Sequence, residues 1–277
     1  MITEGGLSFA GLAEKSELRD RAREARARKL AAKPPPPPPM SQHPWDPAYE
    51  YVNCAAGPSS VELVVVMMHG IGASKEDLVP LASRLGLAAR VLYVFPGAPT
   101  KQWWPLNPAD WMQSVSGGEE AMAKLIRTEF PGLRECRVLG QRLVDDLRAK
   151  HPQAKLVLGG FSQGAMTATD VALHLAEPGC DAILHVSGAP IDVDNWATRL
   201  EDMAAKGRKK PLVYISHGRN DFVLPFTVSA WTQCLFQQAK CDVTYRPHDG
   251  LHDVGPLEPI KGFLIKTLFT AGDGGTT

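Results

Sequence analysis

The sequence predicts an α/β fold: a mostly parallel sheet covered by helices on both faces, in one domain over residues 47–270. Three observations predict it. Short apolar runs that read as strands alternate with longer helix-compatible segments, which is the pattern of a wound sheet. The run Val61-Glu-Leu-Val-Val-Val-Met-Met68 is almost continuously apolar, as expected of a strand covered on both sides. Gly- and His-bearing turns follow several of the runs, and in such sheets functional groups gather beyond the carboxyl ends of the strands.

The elements follow in chain order. Residues 1–46 differ from the rest. Glu14–Lys33 is rich in Arg, Lys, Ala and Glu and carries only a thin apolar stripe, and six prolines, Pro34–Pro39, follow it. The stripe is too thin to bury, and a proline run forms an extended polyproline II rod, so a solvated extension is expected. Docking to a proline-binding domain is the sharper alternative. Glu14, Glu17, Asp20 and Glu24 speak against a targeting peptide, because such peptides are poor in acidic residues. Tyr49–Cys54 reads as a short edge strand. A helix begins at Ser74–Asp77 and runs on through Leu78–Leu85. The strand Ala89–Phe95 comes next, then a long connection over 97–118 that holds Trp103, Trp104 and Trp111. Helical residues run from Glu119 to Lys150, with a break expected at Pro131-Gly132. Strand 155–159, helix 163–176, strand 182–187 and a helical insert over 195–206 follow. Strand 211–216, helix 226–239, strand 242–246 and helix 257–269 complete the domain, and residues 271–277 form a Gly/Thr tail.

Composition excludes several classes. Lys+Arg and Asp+Glu balance at 30 each, which leaves no bulk positive field for nucleic acid. No apolar stretch of about 18 residues is present, so no transmembrane segment is expected, and transient contact with a membrane surface stays open. The five cysteines are odd in number and scattered, without C-x-x-C pairing. This points to free thiols in a reducing, cytoplasmic setting, with Cys234 and Cys241 as the one pair that could meet across a turn. His and acidic residues show no metal-ligand spacing, and no metal or cofactor is expected. Oligomeric state is left open.

The chemistry centres on Gly160-Phe-Ser162-Gln-Gly164. This is a G-x-S-x-G elbow between a strand and a helix, in which the serine hydroxyl stands above the sheet. A side chain at Gly160 or Gly164 would collide where strand and helix cross. A serine needs an adjacent base, and the base needs a carboxylate to fix its tautomer. Asp221 follows the strand 211–216 and His252 follows the strand 242–246, so Ser, Asp and His occur in the chain order of α/β-hydrolases. His248 lies nearer its strand end, but the Gly-x-His context favours His252. Asp249 and Asp253 are weaker carboxylate candidates. Bland readings compete with each of these: Ser162 as an ordinary helix cap and Asp221 as a turn former. His69 and His217 read as structural residues of His-Gly turns.

Together, His69-Gly-Ile-Gly72, Phe95-Pro-Gly-Ala-Pro99, Gly159-Gly-Phe-Ser-Gln-Gly164, His217-Gly-Arg-Asn-Asp221 and Gly250-Leu-His252 resemble the phospholipase/carboxylesterase family of α/β-hydrolases. The likeness runs over about Leu63–Leu268. It implies a catalytic triad of Ser162, His252 and Asp221, and an oxyanion hole from the backbone N–H groups of Ile71 and Gln163. It also implies a serine hydrolase acting through an acyl-enzyme on a carboxylic ester or thioester, with a small-molecule ester or an acylated protein as substrate. A lysophospholipid is an alternative substrate. A non-catalytic binding module that uses the Pro run is the rival from another class. Trp103, Trp104, Trp111 and Leu224 are candidate walls of an acyl pocket, with core packing as the competing reading. Only Leu251 separates Gly250 from His252, where thioesterases of the family carry two residues.

Overall fold

Seven strands and eight α-helices alternate through the described residues. The computed structural model describes Trp45 and residues 50–53, 61–87, 91–98 and 100–270. Of the expected extension over 1–46 only Trp45 is described, and Cys54 and the tail over 271–277 lie outside the described residues. The strands are β1 (Glu50–Asn53), β2 (Leu63–Met68), β3 (Val91–Phe95), β4 (Lys155–Phe161), β5 (Ala182–Val186), β6 (Leu212–Gly218) and β7 (Val243–His248). They form one sheet in the order β1-β3-β2-β4-β5-β6-β7. From β3 to β7 every pairing is parallel, and β1 joins the edge antiparallel to β3. This is the predicted α/β-hydrolase class of fold, and the edge strand expected within Tyr49–Cys54 is found at Glu50–Asn53.

The apolar run of β2 shows how the sheet is covered. Alternate side chains point to opposite faces. Val64, Val66 and Met68 pack into one core cluster, and Leu63, Val65 and Met67 into the other. The first cluster lies under helices α4 (Leu133–Lys150), α5 (Gln163–His174), α6 (Val193–Ala205) and α7 (Thr227–Gln238). The second lies under α1 (Pro80–Leu85) and α8 (Leu257–Phe269). Each fully buried Val, Leu or Met side chain contributes about 1.5–3 kcal/mol relative to exposure. A strand that buries both faces therefore cannot slip by one residue without exchanging its neighbours.

The structure corrects one sequence expectation and bears out another. The connection 97–118 is not irregular throughout: it holds α2 (Pro108–Ser116), capped by Asn107, whose side chain accepts the Ala109 N–H at 3.0 Å. The helical stretch after it is divided. α3 spans Gly118–Leu125, and α4 starts only at Leu133, after Gly132 has adopted a left-handed conformation (φ 82°). The break at Pro131-Gly132 was expected from the sequence. Cys136, Cys180, Cys234 and Cys241 are free thiols, so Cys234 and Cys241 do not pair. Among the described residues no helix is long and apolar enough to cross a membrane.

Candidate active site

The elbow is shaped by backbone contacts. Ser162 stands at φ 56° and ψ −123°, a conformation rare for a residue with a side chain. It is held there from several directions. Its N–H donates to the Val186 carbonyl at 3.0 Å, and its own carbonyl accepts from Ala165 and Met166 at the start of α5. The expected collision at the glycines is present. A Cβ on Gly160 would stand 2.5 Å from the Met68 carbonyl oxygen and from the Gly164 backbone, and one on Gly164 only 2.1 Å from the same Met68 oxygen. The end of β2 therefore presses directly on the turn, and only glycine fits at those two places.

Three side chains meet above β4 and β6. His252 Nε2 lies 2.9 Å from Ser162 Oγ, and His252 Nδ1 lies 2.7 Å from Asp221 Oδ2. With Asp221 ionised, Nδ1 must donate, which leaves Nε2 to accept the serine proton. Asp221 Oδ1 accepts the N–H groups of Val223 and Leu224 at 2.8 and 2.9 Å. Burial alone would raise the Asp221 pKa. The hydrogen bonds from His217, from His252 and from the Leu224 N–H outweigh it and hold the carboxyl well below the ordinary carboxylate range.

The loops bearing His252 and Asp221 are laced together. Arg219 N–H donates to the His248 carbonyl, Asn220 N–H to that of Gly250, and the Asn220 side chain to that of Asp249. A Cβ on Gly218 would stand 2.0 Å from the Leu251 carbonyl oxygen, so the two loops cross in contact. The rival candidates are occupied elsewhere. His248 Nδ1 accepts the Gly250 N–H. Asp253 caps Leu251 and Gly255, and Asp249 pairs with Arg219 at the surface.

The turn 69–72 approaches from β2. A Cβ on Gly70 would lie 3.3 Å from Ser162 Cβ, so the residue before Ile71 lies against the serine. Gln163 is the first residue of α5, where backbone N–H groups have no helical acceptor. His69 reads as the structural residue the sequence suggested. Its Nδ1 donates to the Gly70 carbonyl and its Nε2 accepts the Ala98 N–H. Burial lowers its pKa, consistent with that single-proton tautomer.

The tryptophans brace the site from below. Trp103, Trp104 and Trp111 are 6%, 1% and 3% exposed and belong to the larger core cluster. Gln163 clamps their loop: its Oε1 accepts the Trp103 N–H and its Nε2 donates to the Trp104 carbonyl. The Trp103 indole donates to the His69 carbonyl and the Trp104 indole to Thr167 Oγ1. Trp111 Nε1 has no partner among the described residues. Leu224 is buried too and serves Asp221 through its backbone. The large apolar side chains that are exposed beside the triad positions are others: Phe222, next after Asp221, at 69%, and Leu251, next before His252, at 52%. No periodicity marks them, and only their adjacency to the two polar residues could have drawn attention to them.

A second polar cluster, beneath the elbow helix, escaped the sequence reading. Arg137 on α4 makes two hydrogen bonds to Asp170 on α5, at 2.7 and 3.0 Å, and one to Asp192, at 3.0 Å. The Trp196 indole also donates to Asp170, and Asn195 to Asp192.

Comparison with known proteins gives the family and the fold. The family model for phospholipase/carboxylesterase matches residues 49–262. Among solved structures, esterase PE8 is similar at 22% identity and a TM-score of 0.62, covering 79% of this chain and 98% of that one. The acyl-protein thioesterase 2 of Zea mays is similar at 18% identity and a TM-score of 0.61, with the same coverage. The Bacillus cereus carboxylesterase is similar at 14% identity and a TM-score of 0.52, covering 79% of this chain and 93% of that one. At these identities the likeness concerns the fold. No curated sequence matches.

Proposed function

The chain belongs to the phospholipase/carboxylesterase family, hydrolases that act on ester bonds, and on that premise we propose that it is a serine carboxylesterase or thioesterase working through an acyl-enzyme on Ser162. One observation carries the reading: the continuous hydrogen-bonded line from Ser162 Oγ through His252 to Asp221, at 2.9 and 2.7 Å. In this reading Ser162 gives its proton to His252 Nε2 as Oγ attacks the acyl carbonyl. Asp221 stabilises the imidazolium that forms. The Ile71 and Gln163 N–H groups receive the developing oxyanion, each donor being worth about 3 kcal/mol in comparable sites. His252 then protonates the leaving alcohol or thiol, and water, activated by the same imidazole, releases the acid.

The exposed Phe222 and Leu251 support a substrate whose acyl or alcohol part is apolar, because both flank the residues that would handle the reacting carbonyl. The test is labelling with a fluorophosphonate probe alongside hydrolysis of p-nitrophenyl acetate and butyrate. The wild type is expected to label and to turn over, and Ser162→Ala to do neither. Labelling or turnover that survives in folded Ser162→Ala would overturn the assignment. A binding module would leave the wild type unlabelled.

A further inference from the structure

His217 is fully buried on β6, four residues before Asp221. Its Nε2 lies 2.9 Å from the Leu224 carbonyl oxygen and 3.2 Å from Asp221 Oδ2. A carbonyl and a carboxylate only accept, so the nitrogen between them must carry the proton. The N–H aims at Leu224, and the carboxylate oxygen is the second, longer branch. Nδ1 has no partner among the described residues. Leu224 is thereby held at both ends of its own residue: its N–H donates to Asp221 Oδ1 and its carbonyl accepts from His217. The turn from Asp221 to Leu224 is closed through one imidazole. The same-face neighbours on the strand, Val213 and Ile215, are fully buried apolar residues. A polar ring sunk among them needs a return for its desolvation. The hydrogen bonds it makes next to the carboxylate supply that return.

We propose that His217 is a positioning residue of the hydrolytic reaction: its single N–H fixes the Asp221–Leu224 turn and lies beside Asp221 Oδ2, so that the carboxylate meets His252 Nδ1 squarely. The proposal rests on the serine-hydrolase reading above. His217 touches neither substrate nor Ser162. It acts through Asp221, and Asp221 through His252.

The test compares His217→Gln with His217→Met in the full-length protein. The two replacements have nearly the same shape, and only glutamine carries an N–H where Nε2 stood. Rates are divided by the sites that a fluorophosphonate titrates, which removes losses due to misfolding. His217→Met is expected to lower kcat for p-nitrophenyl acetate about tenfold with KM unchanged, as removal of one hydrogen bond beside a charged group would do. His217→Gln is expected to recover most of that loss. A wild-type kcat per titrated site in His217→Met, or a His217→Gln no better than His217→Met, overturns the proposal. A readout independent of turnover is the proton NMR signal of the His252 Nδ1–H. It should shift in the methionine variant and return in the glutamine variant. If neither variant folds, the tautomer of His217 in the wild type decides: nitrogen NMR must find the proton on Nε2, and a proton on Nδ1 alone refutes the role. A wild type that neither labels nor hydrolyses esters would instead refute the reading of Ser162, and the tautomer measurement separates the two failures.

Discussion

Replacing Arg137 with methionine should cost a large share of the stability of the fold. Arg137 hydrogen-bonds two carboxylates, Asp170 and Asp192, whose side chains are each 1% exposed, and its own side chain is 13% exposed. Arg137→Met keeps the aliphatic stem and removes three charge-assisted hydrogen bonds. The Trp196 indole still donates to Asp170, and the Asn195 amide to Asp192. Breaking a buried ion pair from one side costs about 3–5 kcal/mol, because the remaining charge stays buried. The surviving donors set the expectation at the lower end, about 3 kcal/mol. For a domain of this size that lowers Tm by about 6–12 °C. Urea denaturation at pH 7 followed by circular dichroism is the assay. Adding Asp170→Asn should return about half of the loss, since a neutral amide tolerates burial better than an unpaired carboxylate. A loss below about 1 kcal/mol, or a double variant that is worse than the single, would refute the view that Arg137 neutralises these buried charges.

Two further outcomes follow from the geometry. Burial holds His174 and His185 neutral, with pKa values lowered to about 4 and about 3 from 6.5. The unfolded chain takes up those two protons as pH falls through 6.5 and the folded chain does not. Stability is therefore fully present above that value and should fall by about 3 kcal/mol on going to about pH 5. Urea midpoints measured across that interval check the slope, and a flat profile would contradict it. Phe222→Ser combined with Leu251→Ser should cut kcat/KM for p-nitrophenyl octanoate about tenfold more than for the acetate, since each side chain would shelter about one CH2 of the longer chain at about 0.8 kcal/mol, and the pair together come to about the 1.4 kcal/mol of a factor of ten. Equal losses on both esters would remove these residues from the substrate path.

What could be read in the sequence was local or periodic. The elbow was legible because glycine at 160 and 164 answers a steric demand within a few residues, even though the carbonyl that imposes it belongs to Met68. The strands were legible because β2 and β4–β6 bury both faces and so read as apolar runs. The order of Ser162, Asp221 and His252 was legible because each follows a strand. The helix Pro108–Ser116 left a signal that the tryptophans obscured: Asn107-Pro108 is a good helix start, with a capping side chain and a proline at the first position. The Arg137 cluster left none. Its partners lie 33 and 55 residues away, and their pairing exists only once α4, α5 and the turn before α6 have packed. The core placement of the tryptophans was open for the same reason, since nothing local tells a buried indole from one lining a pocket. His217 was legible as a structural residue, but its link to Asp221 depends on how the turn after β6 folds back.

The separation of the site along the chain has a consequence for how the protein can be watched. The elbow is contacted by the ends of β2 and β5, whereas His252 comes to Ser162 from 90 residues downstream, on a loop laced to the turn after β6. Contacts of that span close late, because the loop entropy must be met before they form. A chain with its elbow built but its last parallel strand unpaired would hold a poised serine with no partner and would be silent. On the proposed serine-hydrolase reading, turnover of an ester is a clock for completion: its onset during refolding should mark the docking of the β7 edge, and its loss during unfolding the departure of that edge.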